Sequence, residues 1–166
     1  MMEQIIETPS LGFSEAINKA ASNILEFKGR SRRSEYWWTM VMVYVISIVL
    51  TPLAGFVLSL LTIPLTFRRL HDTGHSGWWW GGCAILQTIV IALLIYDICM
   101  VYLHAANING YEYEILWDFI LKYSVLSIII LIYKIVLFVF YCMDSVPYEN
   151  TYGESPKHKY TIESNV

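Results

Sequence analysis

Residues 78–96 read WWWGGCAILQTIVIALLIY, a run of 19 residues without a charged side chain. As a helix with a rise of about 1.5 Å per residue, this run is about as long as the hydrocarbon core of a bilayer is thick, roughly 30 Å. Tryptophans at the start of such a run are typical of the membrane–water interface. The stretch therefore predicts a transmembrane helix, which we place at residues 78–102.

The composition of the whole chain also indicates a membrane protein. Of the 166 residues, 56% are hydrophobic and 15% are charged, whereas an average soluble domain has about 45–50% apolar and about 25% charged residues. The net charge of −3 gives no basic excess of the kind that nucleic-acid binders carry, so no nucleic-acid partner is expected. The three cysteines form no CxxC pair, which argues against a zinc knuckle and against a disulfide framework.

A longer uncharged block, residues 36–67, precedes the tryptophan-rich run. One helix of this length would extend about 48 Å, which is too long for one span. Basic residues flank both ends of the block, and the positive-inside rule places both flanks in the cytoplasm. They are Lys28, Arg30, Arg32, Arg33, Arg68 and Arg69. We therefore predict a tight hairpin of two spans, residues 36–51 and 53–67, with one long kinked span as the alternative; Pro64 would bend the returning arm.

The last apolar block, residues 117–142, predicts the fourth span and contains two lysines. Lys122 is expected either to reach the interface along its stem or to pair with Asp118 or Asp97. Lys134 lies deeper in the block. Reaching the interface is the favoured interpretation there, and a buried partner or a transport role is the alternative.

The N-terminal segment shows a helical period of apolar residues. One face carries Phe13, Ile17, Ala20, Ala21 and Ile24. The pattern predicts an amphipathic helix, capped by Ser10 or Ser14, that lies on the bilayer surface. A helix packed against the cytoplasmic ends of the spans is an equal alternative, since its polar face is not notably basic.

These patterns predict an all-α membrane protein with four transmembrane helices and both termini in the cytoplasm. Residues 1–35 would hold an N-terminal tail, the amphipathic helix and a basic segment, and residues 36–143 would form the transmembrane domain. Residues 144–166 would form a polar cytoplasmic tail, folded back on the inner face at first and disordered from about Lys157 onward. The acidic connection between the third and fourth spans, residues 97–118, is predicted to lie outside.

Three motifs occur in order along the chain. They are FKGRSRRSEYW at residues 27–37, RRLHDTGHSGWW at residues 68–79 and DSVPYENTYGESP at residues 144–156. Together they resemble the bacterial inner-membrane proteins of the YhaH type, catalogued as domain of unknown function 805. The RRLHD-x-G-x-SGWW string is the specific part of this resemblance, which covers most of residues 13–156. The chain departs from the family in a first hairpin that almost lacks a polar loop, and in a tail without the usual glycine before Asn150.

The resemblance implies a multi-pass protein of the bacterial inner (plasma) membrane. It implies no reaction, because the family has no established activity.

The second motif places charged and aromatic residues at the predicted inner interface. This interfacial motif consists of His71, Asp72, Gly77, Trp78 and Trp79. His71, His75 and Asp72 are weak candidates for metal ligands, because two histidines one helical turn apart can share a metal ion. Gly74 argues against a continuous helix there, and the chain offers no convincing fourth ligand. The sequence therefore predicts no metal site, no cofactor and no catalytic residue.

The basic residues suggest a phosphate-binding face. Guanidinium groups match phosphate geometry, and basic pockets on the cytoplasmic side of spans bind anionic lipid head groups. The candidates for lipid or phosphate binding are Arg30, Arg32, Arg33, Arg68 and Arg69. The simpler interpretation is that these arginines orient the spans in the bilayer, with Glu35 and Asp72 as their salt-bridge partners and the tryptophans and histidines as interfacial anchors.

The sequence thus favours a non-enzymatic membrane protein that engages anionic lipid, a membrane-protein partner or a second copy of itself through a basic cytoplasmic face. Two alternatives remain. One is a lipid-modifying or metal-dependent membrane enzyme centred on His71 and Asp72, and the other is an oligomeric small transporter.

Overall fold

The computed structural model describes residues 3–104 and 112–162, which form six α-helices and two short strands. The elements are β1 (Glu3–Glu7), α1 (Phe13–Ser22), α2 (Arg33–Val49), α3 (Pro52–Leu61), α4 (Ile63–Asp72), α5 (Trp78–His104), α6 (Glu112–Cys142) and β2 (His158–Ile162). The predicted helical class is confirmed. The chain divides into two compact units: a terminal unit, Met1–Trp79 with Val139–Val166, and an apolar unit, Trp80–Phe138.

Two of the described helices are long and apolar enough to cross a bilayer. They are Trp78–Leu103 of α5 and Leu116–Cys142 of α6, with mean hydropathies of 2.3 and 2.6. Almost none of their residues is buried within the protein. Because exposed apolar surface of this extent is unfavourable in water, these helices fit a lipid environment. The apolar helices predicted at residues 78–102 and 117–142 are therefore present.

A salt bridge connects α5 and α6 inside the apolar unit. Lys122 Nζ lies 2.6 Å from Asp97 Oδ2, and the Tyr123 hydroxyl donates a hydrogen bond of 2.8 Å to the same oxygen. Of the interactions predicted for Lys122, the pair with Asp97 is the one that forms. Lys134 is exposed on α6, and its role stays a prediction. Part of the predicted outer connection, residues 105–111, falls outside the described residues.

The predicted hairpin block forms three helices. α2 ends at Val49, and α3 begins with Pro52 after Thr51, whose hydroxyl accepts a hydrogen bond from the Ala54 N–H at 3.1 Å. α3 and α4 meet at Thr62 with a bend of 43°. Pro64 lies in the first turn of α4, where its missing N–H costs no helical hydrogen bond. The bend expected near Pro64 is thus present, but the returning arm runs on to the end of α4 instead of ending at residue 67.

α2 packs closely against the returning helices. A Cβ atom added to Gly55 would lie 2.0 Å from Ser47 Oγ, so only glycine fits this contact between α2 and α3. At the other end, the Ser31 N–H donates to the Arg68 carbonyl at 3.0 Å. The chain therefore leaves and returns to the same place between residues 31 and 68. That α2 and the bent pair α3–α4 cross a bilayer as a hairpin stays a prediction.

α1 packs against α2. Its alanines Ala16 and Ala20 are buried, and the Phe13 ring meets the Trp38 ring edge-on at 5.6 Å. The N-cap is Gly12, whose N–H donates to the Glu15 carboxylate at 3.1 Å, so the expected serine caps are wrong. The predicted N-terminal helix is present. It contacts α2, as expected for the alternative in which this helix packs against other helices instead of lying on the bilayer surface.

The two ends of the chain form an antiparallel sheet. Glu7 lies opposite His158, and the Thr8 N–H extends the pairing with a 2.8 Å hydrogen bond to the Lys157 carbonyl. The disorder expected from Lys157 onward is therefore wrong as far as Ile162, the last described residue. Backbone hydrogen bonds to β1 supply the order that the polar composition of this segment does not indicate.

Candidate functional site

Asp72, the last residue of α4, is completely buried and ion-paired on both carboxylate oxygens. Arg30 Nε donates to Oδ1 at 3.0 Å, and Arg69 Nη1 donates to Oδ2 at 2.6 Å. The Ser145 hydroxyl adds a 2.5 Å hydrogen bond to Oδ2. Asp72 thereby joins three segments that are distant in sequence: the loop before α2, the end of α4 and the segment after α6.

Arg30 also donates to backbone carbonyls. Nη2 reaches the Asp72 carbonyl at 3.3 Å, and the other carbonyl acceptors lie in the C-terminal segment. Nη1 donates to Tyr148 and Gly153 at 2.8 and 3.2 Å, and Nη2 donates to Val146 at 2.5 Å. The Val146 N–H returns a hydrogen bond of 3.1 Å to the Asp72 carbonyl. The buried guanidinium therefore fixes the path of the chain after α6.

Arg69 is also completely buried and binds the C-terminus of α6. Nε donates to the Tyr141 carbonyl at 3.1 Å, and Nη2 donates to the Met143 carbonyl. The last carbonyls of a helix lack partners within the helix and carry partial negative charge. A guanidinium at this position is thus both a cap for α6 and a counter-charge for Asp72.

A second buried carboxylate, Glu35 on α2, binds cations from two other helices. Arg68 Nη1 of α4 lies 3.3 Å from Oε1, and Lys19 Nζ of α1 lies 3.1 Å from Oε2. Arg68 also donates to the Asn23 carbonyl at 3.4 Å, while its Nε has no partner among the described residues. These distances are longer than those around Asp72, so Arg68 is held less tightly than Arg69. We refer to the two buried carboxylates, with Arg30, Arg68, Arg69, Lys19 and Ser145, as the arginine network.

The two histidines of the second motif do not converge with Asp72 on a common point. His71 stacks on Tyr152 with ring centroids 3.8 Å apart, and its Nδ1 lies 3.1 Å from the Gly29 carbonyl. His75 stacks on Phe140 at 3.8 Å. Helix α4 ends at Asp72, so the two histidines do not share a helical face. The described residues contain no cluster of three or more metal-ligating side chains.

The rest of the interfacial motif shapes the start of α5. A Cβ atom on Gly77 would lie 2.1 Å from Phe67 Cδ1, so the ring of Phe67 occupies the space that a side chain would need. The Trp79 ring meets Phe140 edge-on at 5.3 Å, whereas Trp78 is 71% exposed. An exposed tryptophan at the end of an apolar helix fits the predicted interfacial anchor.

The five arginines predicted as phosphate-binding candidates fall into two groups. Arg30, Arg32, Arg68 and Arg69 are buried, and Arg33 is exposed. Arg32 donates to the Thr8 hydroxyl, the Pro9 carbonyl and the Thr8 carbonyl at 2.9, 2.7 and 3.1 Å. The salt bridges that the simpler sequence interpretation assigns to Glu35 and Asp72 are present. That the arginines orient the spans in the bilayer stays a prediction.

A polar groove of about 350 Å³ lies beside Arg33. It is lined by Glu7, Thr8, Pro9, Ser10, Arg32, Arg33, Ser34, Asp144, Ser145 and Lys157. Lys157 Nζ donates to Asp144 Oδ2 at 2.6 Å and lies 3.4 Å from Glu7 Oε1. The hydrogen bond from Lys157 lowers the pKa of Asp144 below its ordinary value, and the same bond raises the pKa of Lys157.

The sequence profile of the family described as "Protein of unknown function (DUF805)" matches residues 44–154. This range covers two thirds of the chain and includes Arg68, Arg69, Asp72 and Ser145 of the arginine network. The chain belongs to the DUF805 family. The resemblance that the three sequence motifs suggested is thereby confirmed.

Two curated relatives match this DUF805 chain, and both carry the name "Inner membrane protein YhaH". They come from Escherichia coli strain K12 and from Escherichia coli O157:H7, and each is 32% identical over 79 residues. The match covers 37% of this chain and 65% of each relative, slightly less than two thirds of the relative's length. No solved structure matches the chain significantly.

Proposed function

We propose that this DUF805 protein is an integral protein of the bacterial inner membrane that crosses the bilayer four times, with both termini in the cytoplasm. We propose further that its cytoplasmic face engages anionic lipid head groups. In this arrangement α5 and α6 are two of the spans, and α2 with the bent pair α3–α4 supplies the other two. The names of the two YhaH relatives support the location.

The pairing of β1 with β2 is the observation that carries this topology. The strands are hydrogen-bonded partners, with Glu3 opposite Ile162 and Glu7 opposite His158. Two segments that pair in this way lie on the same side of a membrane, so the chain between them crosses an even number of times. If α3–α4 crossed the bilayer and α2 did not, the chain would have three spans. The two strands would then lie on opposite sides of the membrane and could not pair. Two or four spans remain.

Exposed apolar surface on α2 and α3 favours four spans over two. Large hydrophobic side chains that are 49–72% exposed cluster around the reversal between these helices: Tyr44, Val45, Ile48, Val49, Leu50, Leu53, Phe56 and Val57. A contiguous apolar patch of this kind marks a contact with a membrane or with another protein. At about 1.5 Å per residue, α2 is about 25 Å long, which a bilayer accommodates by thinning locally.

The arginine network supports a structural role for most of the basic residues. It ties α1, the start of α2, the end of α4 and the segment after α6 together. In the four-span arrangement all of these parts lie on the side of the paired termini. Arg33 is the one arginine of the five that is exposed, and a basic residue near an anionic leaflet contributes about 1 kcal/mol of attraction. The alternative of an enzyme centred on His71 and Asp72 has no supporting geometry, because both oxygens of the Asp72 carboxylate are ion-paired with arginines.

Lipid preference tests the second half of the proposal. The protein is placed in nanodiscs of phosphatidylcholine containing one fifth phosphatidylglycerol, and the lipids it retains are counted by native mass spectrometry. We expect phosphatidylglycerol to be enriched among the retained lipids, and the enrichment to fall at high salt because salt screens exposed charges. Retained lipids in the same ratio as the nanodisc would contradict lipid engagement.

A further inference from the structure

We propose that the groove beside Arg33 is a binding site for one phosphate group, supplied by the phosphodiester of a phospholipid head group. This inference rests on the proposed function, because it assigns the head-group contact to one place on the cytoplasmic face. The groove volume of about 350 Å³ lies within the range of small-molecule sites.

The charges that line the groove fit a single negative charge. Three of the lining side chains are cationic and two are anionic, so the lining carries a net charge of +1. Lys157 lies between Asp144 and Glu7 and forms a salt bridge with each of them. Among the described residues, Arg32 donates its hydrogen bonds to neutral oxygens of residues 8 and 9. The unbalanced charge therefore belongs to the arginines, and a phosphodiester, with one negative charge, would neutralise it.

Arg33 has the free donors that such a ligand needs. Its side chain is exposed, and its one hydrogen bond among the described residues is a 3.4 Å contact from Nη1 to the Cys142 carbonyl. No described carboxylate lies within salt-bridge distance of it. The other N–H groups of the guanidinium remain available for the bidentate hydrogen bonding that arginine forms with phosphate.

Hydroxyl groups around the arginine add neutral donors. Ser10 and Ser34 both line the groove. The Ser34 oxygen accepts a 3.3 Å hydrogen bond from the Leu11 N–H, which leaves the hydroxyl hydrogen free to donate to a ligand. These groups are able to bind phosphate oxygens or the hydroxyls of a glycerol head group.

The position of the groove favours a lipid over a soluble phosphate. Cys142, whose carbonyl Arg33 contacts, is the last residue of α6, a helix apolar enough to cross a bilayer. The end of a transmembrane helix lies at the depth of the lipid head groups. A phosphate at this depth belongs to a phospholipid.

The test compares three variants with the wild type. Arg33→Gln removes the proposed ligand-binding charge, and Ser10→Trp fills the groove without changing any charge. Lys159→Gln is the matched control, because it removes one exposed cation of the terminal unit that does not line the groove. Each protein is measured in nanodiscs that contain phosphatidylglycerol, by native mass spectrometry, and in pure phosphatidylcholine nanodiscs titrated with inorganic phosphate, by calorimetry.

We expect the wild type and Lys159→Gln to retain one tightly bound phosphatidylglycerol. We expect Arg33→Gln and Ser10→Trp to weaken its retention at least about tenfold, because the first removes a charge-assisted hydrogen bond and the second fills the space of the head group. Wild-type retention by Arg33→Gln would overturn the groove site and leave general lipid engagement standing.

Two further outcomes distinguish a phospholipid head group from soluble phosphate as the ligand. Inorganic phosphate binding that depends on Arg33, without any preference for phosphatidylglycerol, would overturn both the lipid assignment and the proposed function. No binding of either probe by the wild type would overturn the groove site and the proposed function together.

Discussion

Replacing Asp72 by asparagine should open the terminal unit. Asp72 is the counter-charge of Arg30 and Arg69, and all three side chains are at least nine-tenths buried. Removing one partner of a buried ion pair leaves an uncompensated buried charge and costs about 3–5 kcal/mol. Here the substitution leaves two guanidinium groups with only carbonyl partners. We therefore expect the free energy of local opening to fall by about 3–5 kcal/mol.

Amide hydrogen exchange measures this opening directly. The amides of Ser31 and Val146 are both hydrogen-bonded to backbone carbonyls of α4, at 3.0 and 3.1 Å. In Asp72→Asn their exchange should accelerate about 10²- to 10⁴-fold, as the expected loss of free energy implies. Asp118→Asn is the matched control, since Asp118 is exposed and lies in the apolar unit. Exchange within about threefold of the wild type in Asp72→Asn would refute the reasoning that the network holds these segments together.

Three further predictions concern packing and charge. Gly77→Ala should lower the thermal stability in detergent because its Cβ would meet Phe67, and the added variant Phe67→Leu should recover part of the loss; equal melting of Gly77→Ala and wild type would contradict the contact. Gly55→Ala should destabilise the protein more than Gly12→Ala, since a Cβ at Gly12 has its nearest neighbour at 3.9 Å; the reverse order would contradict the close approach of α2 and α3. The stability difference between wild type and Asp144→Asn should be present above the ordinary carboxyl pKa of 3.8 and should vanish as the pH falls through the lowered pKa of Asp144 in the folded state. A stability difference that does not shrink as the pH falls below 3.8 would contradict an electrostatic origin of the stabilisation by Asp144.

Much of the fold can be predicted from the sequence because the helices depend on amino-acid composition and on the spacing of apolar residues. The apolar runs at the positions of α5 and α6 identify these helices, and Pro52 and Pro64 indicate the reversal and the bend. Gly74 correctly indicates the end of α4, since its φ of +79° is a conformation that favours glycine. The pairing of β1 with β2 has no comparable signature, because short polar strands gain their order from a partner far away in the sequence.

The candidate site is only half visible in the sequence. Charge complementarity identifies Glu35 and Asp72 as partners of the arginines. The sequence does not indicate that Arg30 and Arg69 also bind backbone carbonyls after residue 140, because every residue carries a carbonyl and none is marked. For this reason the sequence alone does not separate buried arginines from exposed ones. Substituting Arg68 and Arg69 would disrupt packing, so Arg33 is the better probe of lipid binding.

Labelling of single cysteines in intact cells tests the four-span topology most directly. In a background with the three native cysteines replaced by alanine, Leu50→Cys places a thiol at the exposed reversal between α2 and α3, and Thr151→Cys places one in the exposed C-terminal segment. The account predicts that a membrane-impermeant maleimide labels Leu50→Cys in cells with an intact inner membrane, and labels Thr151→Cys only after that membrane is permeabilised. Protection of Leu50→Cys until permeabilisation, or labelling of Thr151→Cys from outside, would contradict four spans with both termini in the cytoplasm.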